Sequence, residues 1–317
     1  MDNKIAIISF CMGNVPYWID FFLKSCAFNE KVDWFLFTDN PIKGHYNSNI
    51  KIVNTSLNEI GELISGKINL KINIKHPYKL CEFRPAFGLA FGDYLQKYDY
   101  WGYCDIDLIF GDIFSFLEEV IKMEYHIISP HKNFIHGHLC LLKNIPEVNN
   151  LFRLSQNYKE IFSSERLHIF DEQFNQEGIK LDDDETISNQ VLLRINNYVR
   201  YKKSMNFMSK MKFIGNIFKK FRIKGNYYLN DFNQIANHLE KQKKIKIYRK
   251  TLYECDVMKA INNKGYWKIK WRNGKLTNEQ SKELLYFHFQ LSKYRRRFSI
   301  NNNINDNNSF TFESIVV

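Results

Sequence analysis

The sequence lacks a long apolar segment of the kind that crosses a membrane or directs secretion. Its first apolar stretch, KIAIISF at residues 4–10, is too short for either role. No basic segment with a small-residue cleavage site accompanies it. We therefore expect a cytoplasmic protein.

Cysteine pairs at metal-binding spacing are also missing. The sequence contains no C-x-x-C motif. This absence argues against a zinc or redox motif and favours reduced, mostly buried thiols. The six cysteines are Cys11, Cys26, Cys81, Cys104, Cys140 and Cys255.

Acidic residues are absent from residues 202–224, which contain eight basic ones. Removing those eight charges from the formal net charge of +11 leaves +3, so most of the chain is nearly balanced. The charge admits nucleic acid, an anionic membrane or a phosphorylated small molecule as partner. If this segment is helical, its apolar residues form one stripe. Such a helix either contacts the inner-membrane surface from the cytoplasmic side or packs on the core. The stripe consists of Phe207, Met211, Ile214, Phe218 and Phe221.

The first third of the chain alternates strand and helix patterns, which predicts an α/β fold with a mostly parallel, Rossmann-like sheet flanked by helices. A hydrophobic content of 44% indicates a globular protein. Strand patterns around an Asn273-Gly274 turn predict a small C-terminal β region. We expect one domain over residues 1–297, including a basic helical insertion near 200–225, and a flexible Asn-rich tail over 298–317.

Two carboxylates follow the apolar run YWGYC at residues 100–104. Asp105 and Asp107 are two positions apart, so on an extended chain they project to the same side. Neighbouring carboxylates resist joint ionisation unless a cation lies between them, and hard divalent cations prefer oxygen ligands. We interpret the pair as a metal or substrate site. A solvated turn is the alternative.

The order of these features resembles the GT-A fold of nucleotide-sugar-dependent glycosyltransferases, in particular the bacterial glycosyltransferases of capsule and lipopolysaccharide assembly. The motif order is also similar to that of the glycogenin-like and lipopolysaccharide galactosyltransferase-like group. The similarity lies in four stretches. They are YKLCEFRPAFGLAFGDYL leading into YDYWGYCDIDLIFGDI, then HGHLCLLKN, FDEQFN and FHFQLSK. The last stretch departs from the glycogenin-like pattern, because it has no Gly between His and Lys.

The resemblance implies a metal-dependent sugar transfer from a nucleoside diphosphate, most simply a UDP-sugar. Asp105, Asp107 and His288 are then the expected ligands of Mn²⁺ or Mg²⁺, and the imidazole favours Mn²⁺. The nucleotide-sugar site is expected at strand ends and nearby polar residues. Its members are Ser9, Phe10, Cys11, Thr38, Asp39, Arg84, Asp105, Gly137, His138 and Lys293.

Asp171 and Glu172 occupy the position where the resembled group usually has an amide-rich pair. In an inverting enzyme one of them is the expected general base toward the acceptor hydroxyl. In a retaining enzyme they bind the acceptor or flank the reacting carbon. An acidic cluster at a helix start is an alternative interpretation.

The expected acceptor is a glycan or lipid-linked glycan of capsule or lipopolysaccharide assembly, and no nucleic-acid partner is expected. Two other classes remain open from the residues. A haloacid-dehalogenase-like phosphatase also has D-x-D at a strand end, although usually after the first strand. A basic nucleic-acid-binding protein would agree with the pI of about 9.2.

Overall fold

The structure is a computed structural model, and it describes residues 4–44, 46–172, 230–261, 266–290, 298–302 and 309–315. The basic segment 202–224 and Lys293 therefore lie outside the described residues. The strands in chain order are β1 (Ile5–Cys11), β2 (Val32–Thr38), β3 (Ile50–Asn54), β4 (Tyr100–Cys104), β5 (Leu108–Phe110), β6 (Ile127–Ser129), β7 (Leu139–Lys143), β8 (Ile247–Arg249), β9 (Tyr253–Cys255), β10 (Tyr266–Arg272), β11 (Lys275–Thr277), β12 (Tyr286–His288), β13 (Phe298–Asn302) and β14 (Ser309–Ile315).

The described helices lie mainly in the connections between strands. They are α1 (Ile19–Ala27), α2 (Leu57–Ile68), α3 (Phe87–Ala90), α4 (Gly92–Leu95), α5 (Ile113–Lys122), α6 (Pro146–Asn149), α7 (Tyr158–Ser163), α8 (Phe232–Lys241) and α9 (Asp256–Ile261), together with 3₁₀ helices at Pro77–Ala86 and Leu151–Leu154. Within the described ranges, no helix has both the length and the apolar character needed to span a bilayer.

The main sheet has seven strands in the order β3-β2-β1-β4-β7-β6-β8. β1 pairs in parallel with both β2 and β4, whereas β7 runs antiparallel to its neighbours β4 and β6. The expected mixed α/β fold with a mostly parallel central sheet is therefore confirmed. Between β1 and β4 the strand order reverses, and a crevice opens at the carboxyl ends of strands at such a point.

Both faces of this sheet are covered, which explains why its strands are almost continuously apolar. Ile8 and Phe37 belong to the core on one face, whereas Ile7 and Leu36 belong to the core on the other. The second core also includes apolar residues of α1 and α5. The carboxyl ends of β1 and β4 are thus held by a core on each side.

Local sequence signals explain where two helices begin. Ser56 accepts a hydrogen bond from the Glu59 backbone N–H, and the Glu59 carboxylate accepts one from the Ser56 N–H, so α2 starts with a capping box. Asp112 caps α5 by accepting from the Ser115 N–H at 3.1 Å, as its sequence position predicts.

The mostly apolar sequence of residues 79–97 predicts one long helix, but the chain there forms a 3₁₀ helix followed by α3 and α4. Pro85 lies inside the 3₁₀ helix and has no backbone N–H, so a continuous α-helix is disfavoured there. The sequence also predicts a helix over residues 146–160, and this segment is likewise divided between α6, a 3₁₀ helix and α7. A third helix is predicted at 170–177; there, Asp171 and Glu172 lie in a turn, and residues from 173 onward lie outside the described residues.

Two small sheets complete the described part of the fold, with strand orders β5-β12-β9 and β11-β10-β14-β13. The predicted Asn273-Gly274 turn joins β10 to β11, and both residues have positive φ. Residues 298–302 and 309–315, which were expected to be a flexible tail, form β13 and β14. A contact between distant segments explains this difference, because β14 pairs along the whole length of β10.

Candidate active site

The site lies at the carboxyl end of β4, beside the point where the strand order reverses. Asp105 follows β4 directly, and its backbone N–H donates to the His138 carbonyl at 3.1 Å. The strand end is thereby fixed to the residue that precedes β7. The chain then turns through Ile106 into β5, and the Trp18 indole N–H donates to the Ile106 carbonyl at 3.2 Å.

Three candidate metal ligands converge here. One ligand atom from each of Asp105, Asp107 and His288 lies within 4.8 Å of the other two. His288 Nε2 is 3.3 Å from Asp107 Oδ2. Asp107 and His288 are buried, with 1% and 4% of their surface exposed, while the Asp105 side chain is partly exposed. The group therefore has one side toward solvent.

Strand pairing brings His288 to this position from far along the chain. β12 pairs antiparallel with β5, which places His288 opposite Leu108, the residue after Asp107. The Phe289 N–H also donates to the Asp107 carbonyl at 3.2 Å. The spacing of His288 from the D-x-D motif is therefore fixed by a sheet rather than by a loop.

The chemistry of these residues fits a divalent cation. Two carboxylates and one imidazole form a mixed oxygen and nitrogen set of the kind that suits Mn²⁺ as well as Mg²⁺. Burial of acidic groups next to one another is costly without a compensating positive charge. These three side chains are thus the ones that could hold a metal ion, and we call them the metal corner.

Arg84 lies between the metal corner and the adjacent carboxylates of Asp171 and Glu172. Its guanidinium forms an ion pair with Asp105 and another with Asp171, the latter at 2.9 Å. The guanidinium carbon is also 5.5 Å from the centre of the Tyr103 ring. The 3₁₀ helix therefore places one partly buried cation against two candidate site carboxylates.

Asp171 and Glu172 are adjacent in sequence but differ in environment. The Asp171 side chain is 3% exposed, whereas that of Glu172 is 36% exposed. Burial raises the pKa of Asp171 to about 7, the charge of Glu172 adds to this, and Arg84 opposes it. Burial acts in the same direction on Glu172, but His136, the Gly137 N–H and Arg84 together lower its pKa below the usual range.

Gly137 is packed against this cluster. Its N–H donates to Glu172 Oε1 at 2.6 Å. A Cβ atom at this position would lie 2.6 Å from Arg84 Nη1, 2.7 Å from Asp171 Oδ2 and 2.8 Å from Glu172 Oε1. A larger residue here would therefore displace the ends of these three charged side chains from their present contacts.

His138 is buried and belongs to a row of aromatic rings beside the metal corner. Its ring centre lies 4.5 Å from that of His288 and 3.9 Å from that of His136. His138 Nδ1 is hydrogen-bonded to the Tyr286 hydroxyl at 3.0 Å. Burial and the neighbouring His136 hold the pKa of His138 well below its usual value, so the ring is neutral at pH 7.

The residues predicted at the first strand ends contribute little side-chain surface. Ser9, Cys11 and Thr38 are buried, and the Thr38 hydroxyl donates to the Asn40 carbonyl at 2.9 Å. Phe10 is half-buried against Phe37. Asp39 is exposed, and its Oδ1 accepts from the Gly13 N–H at 2.7 Å. The structure thus brings these residues to the crevice but exposes chiefly Asp39.

Sequence reasoning missed His136, Tyr253 and Asn233. His136 Nδ1 lies 3.5 Å from Glu172 Oε1, and its Nε2 is hydrogen-bonded to the Tyr253 hydroxyl at 2.9 Å. Asn233 Nδ2 donates to the Glu172 carbonyl at 2.7 Å. The repeat H-x-H at 136–138 was a local signal for His136, whereas the other two depend on tertiary contacts.

Comparisons with known proteins give a family without an assigned activity. A model described as a family of unknown function (DUF6625) matches residues 7–315. No curated protein matches the chain significantly.

Solved structures of the galactosyltransferase LgtC are among the similar folds. LgtC in complex with donor and acceptor sugar analogs is 13% identical with a TM-score of 0.30, and the match covers 50% of this chain and 64% of that one, less than two thirds of its length. An active-site mutant of LgtC is 14% identical with a TM-score of 0.32, covering 59% of this chain and 69% of that one. Likenesses of this size do not establish a shared activity.

Proposed function

The chain belongs to the DUF6625 family, and we propose that it is a metal-dependent glycosyltransferase that moves a sugar from a nucleoside-diphosphate sugar to a glycan acceptor. The observation that carries this proposal is the convergence of Asp105, Asp107 and His288 at the carboxyl end of β4. That position adjoins the reversal of strand order, where open α/β sheets bind nucleotides.

Asp107 and His288 would hold the ion from the buried side, and Asp105 from the more exposed side. A bound Mn²⁺ or Mg²⁺ supplies positive charge to the diphosphate leaving group. β5 and β12 fix the two buried ligands relative to each other, so little reorganisation is needed on binding.

Arg84 is the described cation best placed for the donor. Its ion pairs with Asp105 and Asp171 leave the guanidinium between the proposed metal corner and Glu172. A sugar bound there would meet a planar set of hydrogen-bond donors. Lys293 remains a prediction as a second phosphate contact.

The nucleotide is proposed to lie over the ends of β1 and β2. Exposed Asp39 suits hydroxyl recognition by a carboxylate, and half-buried Phe10 offers an aromatic edge. Ser9, Cys11 and Thr38 would act through the backbone and the packing of this floor, because their side chains are buried.

Glu172 and Asp171 are proposed to have different roles. Glu172 is the more exposed of the two, so it is the one that can contact an acceptor hydroxyl. Asp171 is a positioning residue that orients Arg84. Gly137 and His138 line the same corner from the β7 side.

We further propose Mn²⁺ and a UDP-sugar as the preferred metal and donor, with an acceptor from capsule or lipopolysaccharide assembly. Cytoplasmic action at the inner-membrane surface, with contact through 202–224, also remains a proposal. The eight basic residues of that segment support it by charge.

A screen of nucleotide sugars with and without Mn²⁺ tests the function. The native protein should hydrolyse one donor slowly with Mn²⁺ and lose this activity with EDTA. Asp105→Asn should reduce the rate by at least about tenfold, because one metal ligand loses its charge.

Two outcomes would replace this proposal. Release of phosphate from simple phosphoesters, without donor hydrolysis, would favour a phosphatase. Steeply salt-dependent binding of nucleic acid, without either activity, would favour a nucleic-acid-binding protein.

A further inference from the structure

A patch of aromatic rings lies next to Glu172, formed by three residues of the loop between β6 and β7 and one residue of β9. We call His131, Phe134, His136 and Tyr253 the aromatic platform. The ring centre of Phe134 is 4.1 Å from that of His131 and 4.4 Å from that of His136. Tyr253 lies edge-on to His136 at 5.6 Å. The four rings therefore form one contiguous cluster, and Phe134 is its most exposed member.

The loop that carries three of the four rings has a backbone fixed by hydrogen bonds from side chains. Asn233 binds both polar groups of Ile135, accepting from its N–H at 2.6 Å and donating to its carbonyl at 3.1 Å. The Ser129 hydroxyl donates to the Phe134 carbonyl at 2.9 Å. Ile135 itself is fully buried. The rings are thus presented in a fixed arrangement, which lowers the entropic cost of binding.

The same asparagine ties the platform to the proposed reaction site. Asn233 also donates to the Glu172 carbonyl, so one buried side chain joins the backbone of the loop to that of Glu172. His136 lies 3.5 Å from the Glu172 carboxylate. A ligand on the platform would therefore lie beside Glu172.

Exposure increases along the row of rings that starts at the metal corner. His288 and His138 are buried, His136 is partly exposed, and Phe134 is 38% exposed. A donor held through its diphosphate would occupy the buried end. The exposed end is then open to a second substrate that arrives from solvent.

We propose that the aromatic platform is the subsite for a sugar ring of the acceptor, an inference that rests on the proposed glycosyl transfer. Aromatic faces carry negative potential, so they attract the polarised C–H groups of a pyranose face. The partly exposed Glu172 carboxylate beside His136 could accept hydrogen bonds from the hydroxyls of a bound sugar. A platform of this chemistry binds a sugar rather than a phosphate.

The electrostatics of His131 agree with this role. Burial and the neighbouring His136 lower the pKa of His131 to about 4, so its ring is uncharged at neutral pH. A neutral ring stacks on a sugar without attracting a competing anion.

Saturation-transfer NMR with Mg²⁺ and four probes tests the inference. The probes are the methyl glycosides of glucose, galactose and N-acetylglucosamine, together with lactose. At least one should receive saturation from the native protein. Phe134→Ala should weaken its binding about tenfold, and Phe134→Trp should restore it.

Phe28→Ala is the matched control, because Phe28 is also a phenylalanine with 38% exposure but packs on Trp271 instead. It should leave both sugar binding and donor hydrolysis unchanged. Equal sugar binding by native protein and Phe134→Ala, or binding of no probe by the native protein, would overturn the platform. Loss of the proposed function is recognised separately, by absence of donor hydrolysis in the native protein.

Discussion

At the residue scale, the candidate site is a compact set of opposite charges around one glycine. Arg84, Asp171 and Glu172 all approach the position that a side chain at Gly137 would occupy. The close packing means that a small addition disturbs several charged groups at once. The site therefore depends on Gly137 as much as on the charges.

Gly137→Ala should destabilise the protein by about 1–3 kcal/mol, because the added methyl overlaps three charged side chains. It should also reduce donor hydrolysis. Urea unfolding and the hydrolysis assay measure the two effects.

Gly66→Ala is the control for this substitution. Gly66 lies within α2, and nothing lies within 4 Å of a Cβ atom there. Alanine should be neutral or stabilising by up to about 1 kcal/mol. If Gly137→Ala were equally harmless, the tight cluster described above would be wrong.

Asp171 should make stability depend on pH in a defined direction. Its pKa is raised to about 7 in the folded state, so between its ordinary value and 7 the folded chain holds a proton that the unfolded chain has released. Stability contributed by this group therefore falls as pH rises through that window. Glu172 acts in the opposite sense and below this window, because its pKa is lowered.

Asp171→Asn should consequently gain stability relative to the native protein as pH rises from about 4 to about 7. Urea unfolding at several pH values measures the difference between the two proteins, in which the unchanged groups largely cancel. A difference that stays constant over this range would contradict the raised pKa.

At the element scale, a buried ion pair attaches the chain before Asp171 to the 3₁₀ helix that carries Arg84. Lys79 and Glu82 are both buried and paired. Lys79 also donates to the carbonyls of Ile161 and Arg166, at 2.9 and 2.6 Å. The buried Lys79–Glu82 pair thus helps to fix the position of Arg84 relative to Asp171.

Lys79→Met should destabilise the protein by about 3–5 kcal/mol, because it leaves the carboxylate of Glu82 buried without its cation. Lys79→Met combined with Glu82→Leu should be less destabilising than Lys79→Met alone. Denaturant unfolding of the three proteins provides the comparison.

Lys75→Met is the control, because Lys75 pairs with Glu165 on the surface. It should change stability by less than about 1 kcal/mol. An equal loss of unfolding free energy in the Lys75 and Lys79 variants would show that the buried pair does not fix the position of Arg84 relative to Asp171.

Strands and turns that are determined by neighbouring residues can be predicted from the sequence, whereas elements that depend on distant contacts cannot. β1 and β2 are apolar on both faces, and the Asn273-Gly274 turn has its own backbone preference, so these were predictable. The apolar pattern of residues 79–97 predicts a continuous helix, but Pro85 disfavours an α-helix there because it has no backbone N–H. β14 was missed because pairing with β10 outweighs an Asn-rich neighbourhood.

Site prediction follows the same rule. Asp105 and Asp107 were identifiable because their spacing on an extended chain is informative by itself. For His288 the indication is the family resemblance, and pairing of β12 with β5 brings this residue near Asp107. Tyr253 and Asn233 have no local signal, since their contacts join segments far apart in sequence.

At the scale of the whole molecule, the C-terminal strands cover aromatic residues of the main domain. Phe310 on β14 stacks on Trp271 and packs edge-on against Phe21, with ring centres 4.9 Å apart in both pairs. Phe21 belongs to α1, which flanks the main sheet. The end of the described chain is therefore part of the packed structure.

Phe310→Ala should cost about 3–5 kcal/mol, because it opens a cavity between Trp271 and Phe21. Thr311→Ala on the same strand is only partly buried and should stay within about 1 kcal/mol. Thermal unfolding of both variants checks this. Similar melting temperatures for native protein and Phe310→Ala would instead indicate a tail that does not pack.

In the proposed enzyme, Asp105, Asp107 and His288 form one cation site at the start of β5 and the end of β12, with a nucleotide beside it. Electron paramagnetic resonance of Mn²⁺, titrated with protein and UDP, measures this most directly. The native protein should bind Mn²⁺ more tightly with UDP than without it, and Asp107→Asn should lose this binding while remaining folded. Equal Mn²⁺ binding by the native and Asp107→Asn proteins would show that Asp107 does not ligate the ion.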